Sequence, residues 1–424
     1  MSTRSMHAAT AASRRRLRKW WRDAHLCLAL GAGFLFALLG LTGSCNVFTF
    51  ELDALLNPNL RVEPARSGPR PLNEIMAAVR AAHPQRAGGW MLFMPRGESS
   101  TLRAVYAKPE ESAGKAFAPL TVDVDPYIAR VLSSRFWGDT LMTNLYELHA
   151  SLWFGKYGGP DAARLGFKTV GALGLLLLLS LASGLYLWWP RGGGWRSALT
   201  VKRSAGGARF NFDLHRAMGA YAAVALSVLA FTGFSFAYRD WVKPVVAWFS
   251  PVAAEPFQNP PTLKSTPVAG AAPISPDEAV AVADRVFPGA ELRWVALPDG
   301  PEGYYAVEKR QPGEANVRRP RSKVWLDQYS GAVLKVADPN EFSAGETFLN
   351  LMWPLHNGEA LGLPGRILAC LSGLAPALLY ATGLIHWLRK RRGRKHAASA
   401  TGRIPVGSPF AAAATAREVG HERP

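Results

Sequence analysis

Four long apolar stretches, three clusters of basic residues beside them, and a sequence that aligns with itself predict the fold class. It is a polytopic membrane protein: an α-helical bundle of four transmembrane helices carrying two small periplasmic α+β domains, arranged as an internal two-fold repeat. A helix crosses a ~30 Å hydrocarbon core with about 20 mainly apolar residues. Residues 25–50, 165–189, 214–238 and 366–388 meet that length. The 424-residue chain has a formal charge of +18, which would ordinarily suggest nucleic acid as a partner. Most of the excess stands beside the apolar stretches, so membrane orientation accounts for it and no nucleic-acid partner is expected.

The basic clusters set the direction of each span. Arg14, Arg15, Arg16, Arg18, Lys19 and Arg22 precede the first, within a basic tail of residues 1–24. Arg191, Arg196, Lys202, Arg203 and Arg209 fill the connection 190–213, and Arg389, Lys390, Arg391, Arg392, Arg394 and Lys395 open the tail 389–424. All three fall on one side only if both termini are cytoplasmic. The first apolar run is too long for a signal-peptide core and lacks a small-x-small cleavage site, so it is expected to remain as a span. The end of the chain, rich in Ala, Gly and Pro, is expected to be disordered. Cys27, Cys45 and Cys370 all lie in apolar segments, which excludes a disulfide framework or CxxC metal site in the loops.

The periplasmic pieces are then residues 51–140 and 239–350, each followed by an interfacial segment, 141–164 and 351–365. Each opens with an amphipathic helix: Leu72, Ile75, Met76 and Val79 in one, Ala279, Val280, Val282, Ala283 and Val286 in the other. Pro84 and Pro288 stop these helices. Strand-like stretches follow at 90–94 and 102–107, and at 292–297 and 304–308. Both pieces finish on a strand, a turn and a short strand, through Asp125-Pro126-Tyr127 and Asp327-Gln328-Tyr329-Ser330-Gly331. The spans repeat as well. His25 and Leu41-Thr42-Gly43 match His215 and Phe231-Thr232-Gly233 at a constant shift, and Leu148-His149, Arg164 and Ser183-Gly184-Leu185 match Leu355-His356, Arg366 and Thr382-Gly383-Leu384.

Four motifs carry a family resemblance: the Asp-x-Tyr-x-Gly-x-Val turn that starts at Asp327, Leu214-His215-Arg216-x-x-Gly219, Leu355-His356-Asn357-Gly358-Glu359-Ala360-Leu361-Gly362-Leu363-Pro364-Gly365-Arg366, and Ser183-Gly184-Leu185-Tyr186-Leu187-Trp188-Trp189-Pro190-Arg191. Over about residues 20–392 the chain resembles the PepSY-associated transmembrane proteins, which include iron-regulated membrane proteins and ferric-siderophore reductases of bacterial inner membranes. The resemblance implies two PepSY-like domains, haem b (two groups), a ferric siderophore or other periplasmic iron chelate as acceptor, and an inner-membrane location. The first domain departs from the pattern, with Ile128 and Ala129 where Thr-Gly is expected.

Imidazole is the usual neutral ligand of haem iron, and two facing histidines make a six-coordinate electron-transfer centre. The repeat supplies two such pairs: His25 with His215 at the cytoplasmic end, and His149 with His356 at the periplasmic end. A straight first span would climb roughly 27 Å from His25 to Gly43 at ~1.5 Å per residue. A histidine near a helix end is also commonly an interfacial or capping residue, and His386, one turn inside the fourth span, is an alternative cytoplasmic ligand. Arg164 and Arg366 are candidates to pair a haem propionate or to snorkel to the interface. Glu147 and Glu359 are candidates to orient the periplasmic imidazoles, to contact a cationic ligand, or simply to sit at the interface. The cytoplasmic pieces are too short for a nucleotide or flavin domain, and there is no P-loop, HExxH or serine-nucleophile elbow. Electrons must therefore come from a separate donor, a quinol or a cytoplasmic reductase, and no acid–base residue is named. The function expected is haem-dependent reduction of the acceptor. The alternatives are a non-enzymatic PepSY interaction module or an accessory of a siderophore or metal transport system.

Overall fold

The computed structural model describes residues 3–190, 192–204, 206–253, 262–268 and 270–401. The chain begins with helices α1 (Thr3–Gly31), α2 (Gly33–Val47) and α3 (Thr49–Leu56). Next come α4 (Leu72–Ala82) and strands β1 (Trp90–Phe93), β2 (Leu102–Tyr106), β3 (Leu120–Asp125) and β4 (Arg130–Phe136). Helices α5 (Leu141–Ser151), α6 (Phe154–Trp188), α7 (Trp195–Leu199), α8 (Gly207–Ala237) and α9 (Arg239–Ala247) lead to the second half. That half holds α10 (Pro276–Val286), β5 (Glu291–Ala296), β6 (Tyr304–Arg310), β7 (Ser322–Asp327), β8 (Val333–Ala337), α11 (Ala344–His356) and α12 (Gly362–Thr401).

Three helical stretches are long and apolar enough to cross a membrane: Leu141–Trp188, Gly207–Ala237 and Glu359–Arg394. A fourth span exists if α1 and α2, bent by 59° at Ala32, count as one. This corrects the expectation of a straight first span. The bend falls between Gly31 and Gly33, and a Cβ on Gly33 would stand 2.6 Å from the ring of Tyr380, so only glycine lets α2 and α12 meet there. With 59° between the pieces, the 18 residues from His25 to Gly43 span about 24 Å end to end. Along the bundle α2 packs on α12, α6 on α8, and α12 also touches α8. Both terminal basic segments are helical, although disorder is expected only of the last. The first lies within α1, and the last continues α12 to Thr401; the expected disorder of 402–424 lies outside the described residues.

The two expected small domains are halves of one sheet. Its eight strands run β4-β3-β2-β1-β5-β6-β7-β8, all antiparallel neighbours. The halves join where Met91, Leu92 and Phe93 face Ala296, Val295 and Trp294. An unpaired edge strand is a template for aggregation, and each half covers the other's edge. One core follows from one sheet. Ile75, Met76 and Val79 of α4 and Ala279 and Ala283 of α10 pack with Leu92, Val122, Val295, Val307 and Val324. The halves are also tied at a helix start: the Asp277 carboxylate of α10 accepts the N–H groups of Leu72 (2.8 Å) and Asn73 (2.9 Å) at the first turn of α4.

Candidate functional site

Two pairs of imidazoles lie inside the bundle. The rings of His149 and His356 are 6.1 Å apart between centroids, and those of His25 and His215 are 6.5 Å apart. The helices therefore bring together the same histidines that the sequence pairs by repeat. Rings that bind one metal from opposite sides, each nitrogen at about 2 Å, have centres roughly 6 Å apart.

Each histidine rests on a hydroxyl–glycine step of another helix. His149 Nδ1 lies 2.9 Å from the Leu39 carbonyl and 3.2 Å from Thr42 Oγ1. His356 Nδ1 lies 3.1 Å from the Leu229 carbonyl and 2.8 Å from Thr232 Oγ1. His25 Nδ1 lies 3.1 Å from the Ser180 carbonyl and 2.9 Å from Ser183 Oγ. His215 Nδ1 lies 2.9 Å from Thr382 Oγ1. Each hydroxyl already gives its proton to a carbonyl of its own helix: Thr42 to Leu38, Thr232 to Val228, Thr382 to Leu378 and Ser183 to Ser180. It can therefore only accept from the imidazole. A carbonyl can do nothing else. In the neutral ring Nδ1 then carries the hydrogen, and Nε2 keeps a free lone pair. A backbone carbonyl holding the far nitrogen is the usual support of a metal-bound histidine.

The glycine after each hydroxyl makes room for the ring. A Cβ would stand 2.8 Å from His149 Cε1 at Gly43, and 3.2 to 3.3 Å from the Cε1 atoms of His25, His356 and His215 at Gly184, Gly233 and Gly383. The sequence shows these dipeptides only as repeated text; their role as imidazole seats appears once helices distant in sequence are in contact.

The remaining expected residues divide. Arg366 reaches α2, donating to the Val47 carbonyl (2.9 Å) and Glu51 (2.6 Å) and lying 4.5 Å over Phe48. Arg164 is not drawn in: its side chain is 76% exposed and meets Asp161 at 3.6 Å. It stands apart from Arg366, in the exposed position that snorkelling to the interface expects. Glu147 and Glu359 hold neither imidazole. Glu359 forms a buried ion pair with Arg318, and helical carbonyls and hydroxyls fill the orienting role. His386 is exposed against Phe212, 5.8 Å between ring centres, outside the His25–His215 pair.

Near the His25–His215 pair, Asp213 is fully buried between Arg209 (2.9 Å) and Arg216 (3.2 Å), and Asn211 donates to the Thr382 carbonyl at 2.8 Å. Near the other pair the loop between β6 and β7 reaches down to the bundle. Arg318 donates to the Val47 carbonyl at 2.6 Å. Among the described residues no group of three or more His, Cys, Asp or Glu gathers as a metal site of protein ligands. A paired-imidazole site instead suits a metal whose other ligands come from a macrocycle.

Apolar helices long enough to span a bilayer, with a sheet on one end and paired imidazoles inside, define a polytopic membrane protein with two candidate two-histidine centres. The chain belongs to the PepSY-associated transmembrane family: the family model described as the PepSY-associated TM region matches residues 22–390. No curated protein matches the chain significantly.

Proposed function

We propose that the chain is a haem b-containing electron-transfer protein of the bacterial inner membrane, which reduces a periplasmic acceptor of the ferric-siderophore class for iron uptake. The observation that carries this reading is the seat repeated at four histidines, which leaves a bare Nε2 on each ring of two pairs. Haem b bound by each pair would supply a reversible one-electron iron couple. The chain's part is to fix each imidazole, hold its Nδ1–H on a helical carbonyl or hydroxyl, and keep water from the centre. Arg366, whose Nε has no acceptor among the described residues, is the candidate partner for a propionate.

The spans are read as four, with α1 and α2 as one broken span, and the two halves as an internal duplication. Basic residues gather at the end opposite the sheet, which favours cytoplasmic termini and a periplasmic sheet. Electrons would enter at the His25–His215 end from a quinol or a cytoplasmic reductase. A reduced-minus-oxidised spectrum of the purified chain tests the assignment. Soret and α bands are expected, with haem per protein halved by His149→Ala with His356→Ala and abolished when His25 and His215 are also replaced. Absent bands, or bands that outlast all four changes, refute it.

A further inference from the structure

The end of the bundle nearest the His149–His356 pair carries an excess of guanidinium groups set on aromatic rings. Val47, which accepts from both Arg318 and Arg366, stands one helical turn beyond Gly43, the glycine against His149. Arg96, in the turn after β1, lies 3.5 Å over the ring of Phe50, and Arg318 lies 5.1 Å from the same ring. Arg319 lies 4.8 Å over Trp353. Trp353 meets Phe236 at 5.6 Å, and Phe236 meets His356 at 5.2 Å, so a chain of ring contacts leads from Arg319 to the imidazole.

Positive charge here is incompletely balanced. Glu359 is taken by Arg318 and Glu51 by Arg366. Arg96 and Arg319 are exposed, and among the described residues neither has a carboxylate within 4.0 Å. Among the described residues Asn357 Nδ2 and Trp353 Nε1 are buried at this end with no acceptor, while Asn316 Oδ1, in the β6–β7 loop, and Asn46 Oδ1 have no donor. Two cations without a carboxylate partner complement an oxyanion, and guanidinium groups recognise carboxylate-type oxygens by charge and by paired N–H bonds.

We propose that this mouth, formed by Arg96, Arg318 and Arg319 where the β6–β7 loop meets the bundle, docks the acceptor, and that the acceptor it takes is an anionic, oxygen-rich ferric chelate. The inference rests on the acceptor reading above and adds the place and the charge class. Were both imidazoles to hold one haem iron, the acceptor would approach from outside, at the end of the Trp353–Phe236 contact chain.

The test uses the full chain in nanodiscs and equilibrium dialysis of two iron-labelled probes: ferric citrate, which is anionic, and a ferric trihydroxamate bearing a free amine, which is cationic. Ferric citrate is expected to bind more tightly and to weaken as salt rises. Arg96→Ala with Arg319→Ala should weaken it about tenfold or more, whereas Arg96→Lys with Arg319→Lys, which keeps the charge but loses the paired N–H bonds, should weaken it less than the alanine variant does. Both arginines are exposed, and an unchanged thermal midpoint would show that the fold is kept. Unchanged citrate binding in the alanine variant, or equal binding of the cationic probe, overturns the proposal. A fall in haem content in that variant also overturns it, since the arginines would then serve a propionate. Arginine-dependent binding without haem bands would refute the haem assignment and leave the docking site standing.

Discussion

Gly43 is the most constrained residue of the four imidazole seats. Its added Cβ would lie 2.8 Å from His149 Cε1, closer than real Cβ contacts come, against 3.3 Å for Gly233 and His356. Gly43→Ala must therefore displace the ring and lengthen its Nδ1 bond to Leu39, whereas Gly233→Ala asks for a shift of a few tenths of an ångström. Haem per protein is expected to drop toward one in Gly43→Ala and to stay near two in Gly233→Ala; equal losses would remove the steric argument. The histidine pairs were legible because the repeat marks equivalent positions. Their seats were not. Thr42 and His149 are 107 residues apart, and Thr232 and His356 are 124 apart. No local pattern says which helix a side chain leans on. Arg164 and Arg366 share a place in the repeat, yet only Arg366 is drawn onto a neighbouring helix.

Among the elements, the two strand-joining turns make a controlled comparison. In the second half Asp327 Oδ1 accepts from the N–H groups of Tyr329 (2.9 Å) and Ser330 (2.8 Å) and from Ser330 Oγ (3.0 Å), Oδ2 accepts from Thr266 N–H (2.9 Å), and Gly331 takes φ 68°. In the first half Asp125 accepts from Tyr127 N–H, and Ala129 is held at φ 51° where its counterpart is glycine. The left-handed region costs a residue with a Cβ roughly 1–2 kcal/mol, part of which glycine loses again in the unfolded chain. Ala129→Gly should therefore stabilise by about 0.5–1 kcal/mol and Gly331→Ala should destabilise by a similar amount, read from thermal or denaturant unfolding in detergent. Burial alone would raise the Asp327 carboxyl, but the N–H groups of Ser330, Thr266 and Tyr329 outweigh it and hold the carboxyl below its ordinary value. A lowered folded value means that the turn's contribution is present above pH 4 and fades as the carboxyl protonates at lower pH. Asp327→Asn should cost about 1–3 kcal/mol at pH 7 and flatten the acid limb of a stability–pH curve. An unchanged acid limb would show that other carboxylates set it. The turns, helices and strands were readable from period and from Pro and Gly. The seam was not, because antiparallel pairing of residue 91 with 296 is a choice between edges that the sequence leaves open.

For the whole molecule, one sheet and one helical bundle share a polar junction, and function depends on which side of the membrane that junction faces. Three clusters of basic residues favour one side for the α6–α8 connection and both termini. The sheet, fused across β1 and β5, must then lie wholly on the other side, since a single core of α4, α10 and both half-sheets cannot be divided by a bilayer. Lys115, in the loop between β2 and β3, and Lys202, between α7 and α8, are both exposed and sit on opposite sides of this arrangement. In a chain whose Cys27, Cys45 and Cys370 are replaced by serine or alanine, Lys115→Cys should react with an impermeant maleimide on intact spheroplasts. Lys202→Cys should react only after the membrane is opened. The reverse pattern would put the sheet and the arginine mouth in the cytoplasm, and reduction of a periplasmic acceptor would fail with it. Labelling of both sites in intact cells would instead require an even number of crossings between them, so that α6 would not span. The first two outcomes thus set the direction of a transmembrane path for electrons, and the third would leave both histidine pairs serving one compartment.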